Sequence, residues 1–157
     1  LTREEFDAMK NHVHFGVEFL SRSAWLKSAV EVVQYHHEKY DGSGYPQGLA
    51  GEQIPLNARI FALADVFDVL TSKRPYKTAM PFEKAMDIIA SERGRHFDPK
   101  IVDIFAGIAN DLFHQINAAR PGEIETALRL LAQRYFREDA VLVEYLLPFV
   151  RHASAAG

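Results

Sequence analysis

The 157 residues contain no cysteine, which excludes disulfides and thiolate-held zinc or iron–sulfur clusters. Any metal would have to be taken by His, Asp or Glu, a donor set that suits iron, manganese, zinc or similar ions. Excess charge is lacking too. The 18 Lys and Arg against 21 Asp and Glu leave a net charge of −3, which exerts no general pull on nucleic acid, and no DNA partner is expected. No apolar run reaches the ~20 residues a bilayer span needs, and no signal-peptide pattern is present; a cytoplasmic chain is the expectation. The period-two alternation of β-branched residues that marks strands is absent. So are repeats, and low complexity is confined to an Ala-rich tail at 153–157. The initiator methionine is missing as well: the chain opens at Leu1-Thr2, directly at a helix signal, and reads as part of a longer polypeptide.

What is present is ordinary globular material, 48% apolar and 25% charged, in one domain's worth of chain. Thr2-Arg3-Glu4-Glu5 has the form of a capping box, and Phe6, Met9, Val13 and Val17 follow at helical spacing. Residues 24–40 form an amphipathic segment with Leu26, Ala29, Val30, Val33, His37 and Tyr40 on one face. The break at Asp41-Gly-Ser-Gly-Tyr-Pro opens a loop that runs to about residue 55. Residues 57–72 are apolar nearly all round, as in a buried helix. A helix over 82–93 stops near Gly94, and Asp98-Pro99, an N-cap followed by proline, starts one that runs to about Ala118. Two further helical stretches, 122–137 and 139–152, complete an all-α chain.

Chemistry concentrates in a few places. His36 and His37 are adjacent at a helix end, His37 within the apolar stripe, where an imidazole needs partners for both ring nitrogens. A core histidine bonded to a carbonyl is the ordinary outcome, but two neighbouring rings pointing inward can also converge on one ion. In the run Ile60 to Leu70 only Asp65 and Asp68 are not apolar; a carboxylate there needs a cation, a metal or strong donors, and spacing does not choose between the two. His12 and His14 flank the first helix's stripe on opposite sides, and periodicity leaves that choice open as well. Thr71 to Lys77 places three cations and a tyrosine just past the Asp65 helix, either as a solvated loop or as a phosphate-binding one. Together these suit metal-assisted hydrolysis of a phosphate ester.

At this point the residues resemble a known family. His36-His37-Glu38-x-x-Asp41-Gly42-Ser43-Gly44-Tyr45-Pro46, followed by Gly48-Leu49-x-Gly51-x-x-Ile54-Pro55, is similar to the HD-GYP domain. The likeness continues through Ala58-Arg59-Ile60, Ala64-Asp65-Val66-Phe67-Asp68, Thr71-Ser72-x-Arg74-Pro75-Tyr76-Lys77 and Gly94-x-x-Phe97-Asp98-Pro99, and covers residues 1–105. The resemblance implies an HD-type helical bundle, incomplete at its N-terminus. It also implies metal-dependent hydrolysis of cyclic di-GMP to linear pGpG and on to GMP, with two or three iron or manganese ions. It further implies metal ligands at His12 rather than His14, at His36 and His37, and at Asp65 rather than Asp68. Arg74 and Lys77 would contact phosphate or guanine. Gly44, Tyr45 and Pro46 would form the GYP loop, which lines the substrate side with Tyr45 and is implicated in binding diguanylate cyclase (GGDEF) domains. No catalytic residue beyond the metal ligands is implied.

One part of the pattern is missing. No His-Asp dipeptide occurs in the chain, so the family's metal-bridging aspartate has no counterpart here, nor does the lysine that usually follows it. Two readings compete: a phosphodiesterase whose remaining helices, and an upstream sensory or receiver domain, lie outside this chain, or a degenerate module that binds cyclic di-GMP or a partner without turnover. Under the first, apolar faces of the remaining helices should be left uncovered. Residues 106–157 lie beyond the resemblance and are expected to form a helical extension, packed on the domain or on a second subunit of a homodimer.

Overall fold

A computed structural model describes residues 2–22, 26–73, 78–120, 122–123, 126–127 and 130. It divides into two compact units, residues 1–110 and 111–157. Among the described residues the ordered elements are five α-helices and one short 3-10 turn: α1 Arg3–Ser21, α2 Lys27–Tyr35, the turn Gly51–Gln53, α3 Leu56–Thr71, α4 Phe82–Ser91 and α5 Pro99–Ala118. The all-α expectation is borne out.

α1 begins where its capping box says it should. The Thr2 hydroxyl accepts from the Glu5 amide at 3.2 Å while the Glu5 carboxylate accepts from the Thr2 amide at 2.7 Å, satisfying two of the amides that every helix start leaves unpaired. α1 and α2 pack as an antiparallel pair. Gly16 of α1 faces Val33 of α2 so closely that a Cβ would stand 2.7 Å from Val33 Cγ1, and one turn earlier on α1 His12 meets His37, just past the end of α2. Val13 is the buried member of the α1 stripe, whereas Met9 remains 42% exposed.

α2 departs from its expected bounds. It ends at Tyr35, so His36 and His37 lie in the turn beyond it rather than on its face, and Tyr40 is in the loop. The physical reason is local competition for carbonyls and amides. The His36 ring donates from Nδ1 to Val33 O at 2.9 Å, closing off the last turn in place of further backbone. The Glu38 amide then bonds Tyr35 O in a tighter turn. The first part of the expected segment, residues 24–25, lies outside the described residues.

α3 agrees with expectation to within a residue, but it is not buried all round. Ala58, Ala62, Leu63 and Phe67 are buried, while Leu56, Ile60 and Phe61 are about half exposed. α2 and α4 pack against α3, and Phe105 of α5 meets Phe67 on it. An apolar composition shows what a helix is able to bury, not whether a neighbour arrives. Phe15 and Phe19 of α1 and Ile104 of α5 are exposed in the same manner.

The core of the first unit gathers around Phe67, whose ring meets Phe82 of α4 and Phe105 of α5 edge to face, at centroid distances of 6.2 and 5.0 Å. Asp98 is the expected N-cap of α5, accepting from the Lys100 amide at 2.8 Å with Pro99 at the first helical position. Its second oxygen takes the Arg59 guanidinium in an ion pair that ties α3 to the start of α5. The loop after α2 is pinned to the α4–α5 connection by Tyr40 N to His96 O, 3.1 Å, and Asp41 N to Arg95 O, 2.8 Å. Gly94 takes φ +79° where that connection turns after α4. Of the expected helix 122–137, residues 122–123, 126–127 and 130 are helical; the rest of it, and all of 139–152, lie outside the described residues.

Candidate metal centre

Three imidazoles converge where the α1–α2 pair closes. His12 comes from the middle of α1, and His36 and His37 from the turn after α2. The ligand nitrogens of all three lie within 4.8 Å of one another. The His36 and His37 ring centroids are 3.9 Å apart, and His12 stands edge-on to His37 at 5.0 Å. His12 Nε2 and His37 Nε2 are separated by 3.1 Å. That matches two nitrogens bound to one ion: with metal–nitrogen bonds of about 2.1 Å, neighbouring ligands sit about 3.0–3.4 Å apart.

The tautomers support the same use. His12 Nδ1 bonds the Met9 carbonyl and His36 Nδ1 the Val33 carbonyl. A carbonyl only accepts, so both Nδ1 atoms carry a proton, which leaves Nε2 as the nitrogen that can ligate a metal. Metal-ligating histidines are held in this way by an outer hydrogen-bond partner. Burial first, and then the charges that His36, His12 and His96 would carry, push His37 down to about 4, so its ring is neutral and able to ligate at ordinary pH. The residues present therefore fit a divalent ion.

Asp65 stands on α3, partly buried, and outside this cluster of ligand atoms. It is one turn beyond Phe61, whose ring packs edge-on against His36 at 5.7 Å, so it shares the α3 stripe that meets the centre. Asp68 is exposed and accepts from the Ser72 hydroxyl at 2.6 Å near the end of the helix. His14 is exposed beside Phe15 and away from the cluster. Arg74 and Lys77 lie outside the described residues.

The loop supplies the remaining wall. The Tyr45 ring stacks on His37 at 4.8 Å and 28°, and Lys10 Nζ of α1 lies 5.6 Å from the centroid of the same ring. Burial pushes the Tyr45 phenol up. Gly44 has no substitute here: a Cβ would lie 2.3 Å from Lys39 N and 2.5 Å from Glu38 Cα. Tyr45-Pro46 is a cis peptide, and Pro46, Gln47 and Gly48 form an exposed tip.

Sequence reasoning passed over two residues. Glu38, quoted only as part of a motif, is 2% exposed and bonds three loop amides. Lys10 is the cation nearest the Tyr45 face among the contacts described. The available signal for Glu38 was the loop itself, whose run of backbone amides needs acceptors that no helix or sheet provides.

Residues 1–101 match the HD domain family. The chain belongs to it. Among its relatives is the cyclic di-GMP phosphodiesterase response regulator RpfG of Xanthomonas campestris, 50% identical over 105 residues, or 66% of this chain and 28% of that protein. A cyclic di-GMP phosphodiesterase of Vibrio cholerae is 46% identical over 115 residues, 69% of this chain and 23% of the relative. A 3'3'-cGAMP-specific phosphodiesterase 2 of Vibrio cholerae is 45% identical over 106 residues, 66% and 20%. The chain thus spans less than a third of the length of these curated relatives. Within that span they bear out the HD-GYP resemblance. No helix among the described residues is long and apolar enough to cross a membrane.

Proposed function

We propose that this HD domain serves a metal-dependent phosphodiesterase that hydrolyses cyclic di-GMP to pGpG and on to GMP. The observation that carries the reading is the convergence of His12, His36 and His37, with the outer nitrogens of His12 and His36 on carbonyls and the Tyr45 ring stacked on His37. Iron or manganese, two or three ions in all, would be held by these histidines together with Asp65. Bound there, such ions would stabilise charge on the phosphoryl oxygens and acidify water.

The chain's own residues have definable tasks. The three rings present nitrogen donors to one point, and the carbonyls of Met9 and Val33 orient two of them. Tyr45, stacked on His37, would line the substrate side of the centre. Arg74 and Lys77 would take the phosphates. The GYP loop, Gly44, Tyr45 and Pro46, would be the contact for a diguanylate cyclase (GGDEF) domain, with Pro46 at its exposed tip.

The test is turnover of cyclic di-GMP, with 3'3'-cGAMP alongside, by the full-length protein loaded anaerobically with iron or manganese. The expected result is conversion of cyclic di-GMP to pGpG that disappears in His37→Ala while the helical signal persists. Binding of the dinucleotide without turnover by metal-loaded protein would move the assignment to a binding module. Unimpaired turnover by His37→Ala would remove the histidines from the centre.

A further inference from the structure

Two charged side chains are fully buried among the described residues, Glu38 and Asp98. Asp98 is answered by the Arg59 guanidinium. Glu38 is answered by backbone. Its Oε1 accepts from the Gln47 amide at 2.7 Å and the Gly48 amide at 3.1 Å, and its Oε2 from the Leu49 amide at 3.1 Å. Burying a carboxylate on neutral donors is costly unless the donors are already aimed at it, so the loop and the carboxylate define one another.

What the loop then does is specific. It folds back on residues 37–39 and is closed at two places: Gly44 against the backbone of Glu38 and Lys39, and the amides of 47–49 on the Glu38 carboxylate. Tyr45 and Pro46 lie between those closures. The Tyr45 amide donates to His37 O at 3.2 Å, and its ring lies flat on the His37 imidazole. His37 in turn points Nε2 at His12 Nε2.

We propose that Glu38 is a positioning residue for the metal centre: through the amides of 47–49 it holds Tyr45 on the His37 ring, and so sets the plane of that ring before any ion arrives. The proposal rests on the metal-centre reading for its consequence, but not for its geometry.

The experiment therefore uses two readouts on the full chain. The first is the His37 ring Cε1–H resonance in the metal-free protein, assigned by its loss in His37→Gln; Tyr45 stacked on it shifts this signal by ring current. The second is affinity for cobalt(II) alone. In Glu38→Gln an amide nitrogen replaces one acceptor and meets a backbone N–H donor-to-donor. Glu38→Asp keeps both acceptors but withdraws them by one methylene, and serves if the Gln variant does not fold. Tyr45→Ala gives the unstacked reference and Tyr45→Phe the stacked one.

The expected result is that Glu38→Gln moves the His37 signal most of the way to the Tyr45→Ala position, and Glu38→Asp part of the way, while Tyr45→Phe stays native. Cobalt affinity should fall about tenfold in Glu38→Gln, the lower end for loss of an outer-shell partner. A native His37 signal with cobalt affinity within twofold of the unsubstituted chain would overturn the proposal, even with a lower melting temperature, since Glu38 would then serve only loop stability. Failure of the unsubstituted chain to bind cobalt would count against the metal centre alone. The resonance comparison would still decide the role of Glu38.

Discussion

Individual glycines carry different burdens in this fold, and substitution should separate them. At Gly44 an added methyl would meet backbone at 2.3–2.6 Å, which neither rotamer change nor a small shift relieves. Gly44→Ala is expected to destabilise by about 2–3 kcal/mol, the upper range for overpacking. Gly51 sits at φ +58° with nothing within 4 Å, so Gly51→Ala should cost only the left-handed penalty, about 1–2 kcal/mol. Gly107 lies within α5 with open space around it and needs no special dihedral. Gly107→Ala should therefore stabilise by roughly 0.5–1 kcal/mol. Urea midpoints of the three variants check the order; a neutral Gly44→Ala would show that the loop does not close on Glu38 as described. Only the Gly51 and Gly107 effects belong to backbone preference. The Gly44 effect comes from contacts with Lys39 and Glu38, five and six residues away in sequence, formed only once the loop turns back.

At the scale of elements, the junction of α3 with α5 should be among the most sensitive points. Asp98 caps α5 with one oxygen and neutralises the mostly buried Arg59 with the other. Asp98→Ala removes both and strands the guanidinium, at an expected cost of about 3–5 kcal/mol. Asp98→Asn retains a good cap and should recover the capping share, about 1 kcal/mol. Equal losses in the two variants, read from denaturant midpoints, would mean that the cap contributes nothing. A second contrast tests α1. Val13 is buried and Phe19 is 72% exposed, so Val13→Ala should destabilise by about 1–3 kcal/mol and Phe19→Ala by less than about 0.5 kcal/mol. The capping box, the start of α5 and the α3 and α4 spans were legible because caps and prolines act within a turn of where they stand. The end of α2 was not, because it is decided by His36 and Glu38 finding partners that periodicity does not see.

For the whole molecule, acid should be destabilising over a defined range. His37 titrates at about 4 in the fold against an ordinary 6.5. Between those values the unfolded chain binds a proton that the folded chain refuses, so the stability of the metal-free protein rises with pH across the window and is fully present above it. His96, pushed down chiefly by burial, acts with the same sign. The urea midpoint is expected to be higher at pH 6.5 than at pH 4.5, and the difference to shrink in His37→Gln. A midpoint that falls with rising pH across this range would contradict the neutral-imidazole description.

The sequence by itself determined the helical class, the family and the residue types able to hold a metal, because composition, capping and motif spacing are properties of the chain before it folds. It left His12 and His14 equal by periodicity, as it did Asp65 and Asp68, since each pair flanks or shares an apolar face. Only the tertiary structure decided that His12 stands with His36 and His37, that His14 and Asp68 face solvent, and that Asp65 lies one turn from the ring contact rather than within the cluster. Only it revealed Glu38 as the anchor of the loop. A helix pattern specifies which side a residue is on. Which residues meet depends on how α1 and α2 cross at Gly16 and Val33, and on a loop whose shape follows from where its amides find an acceptor.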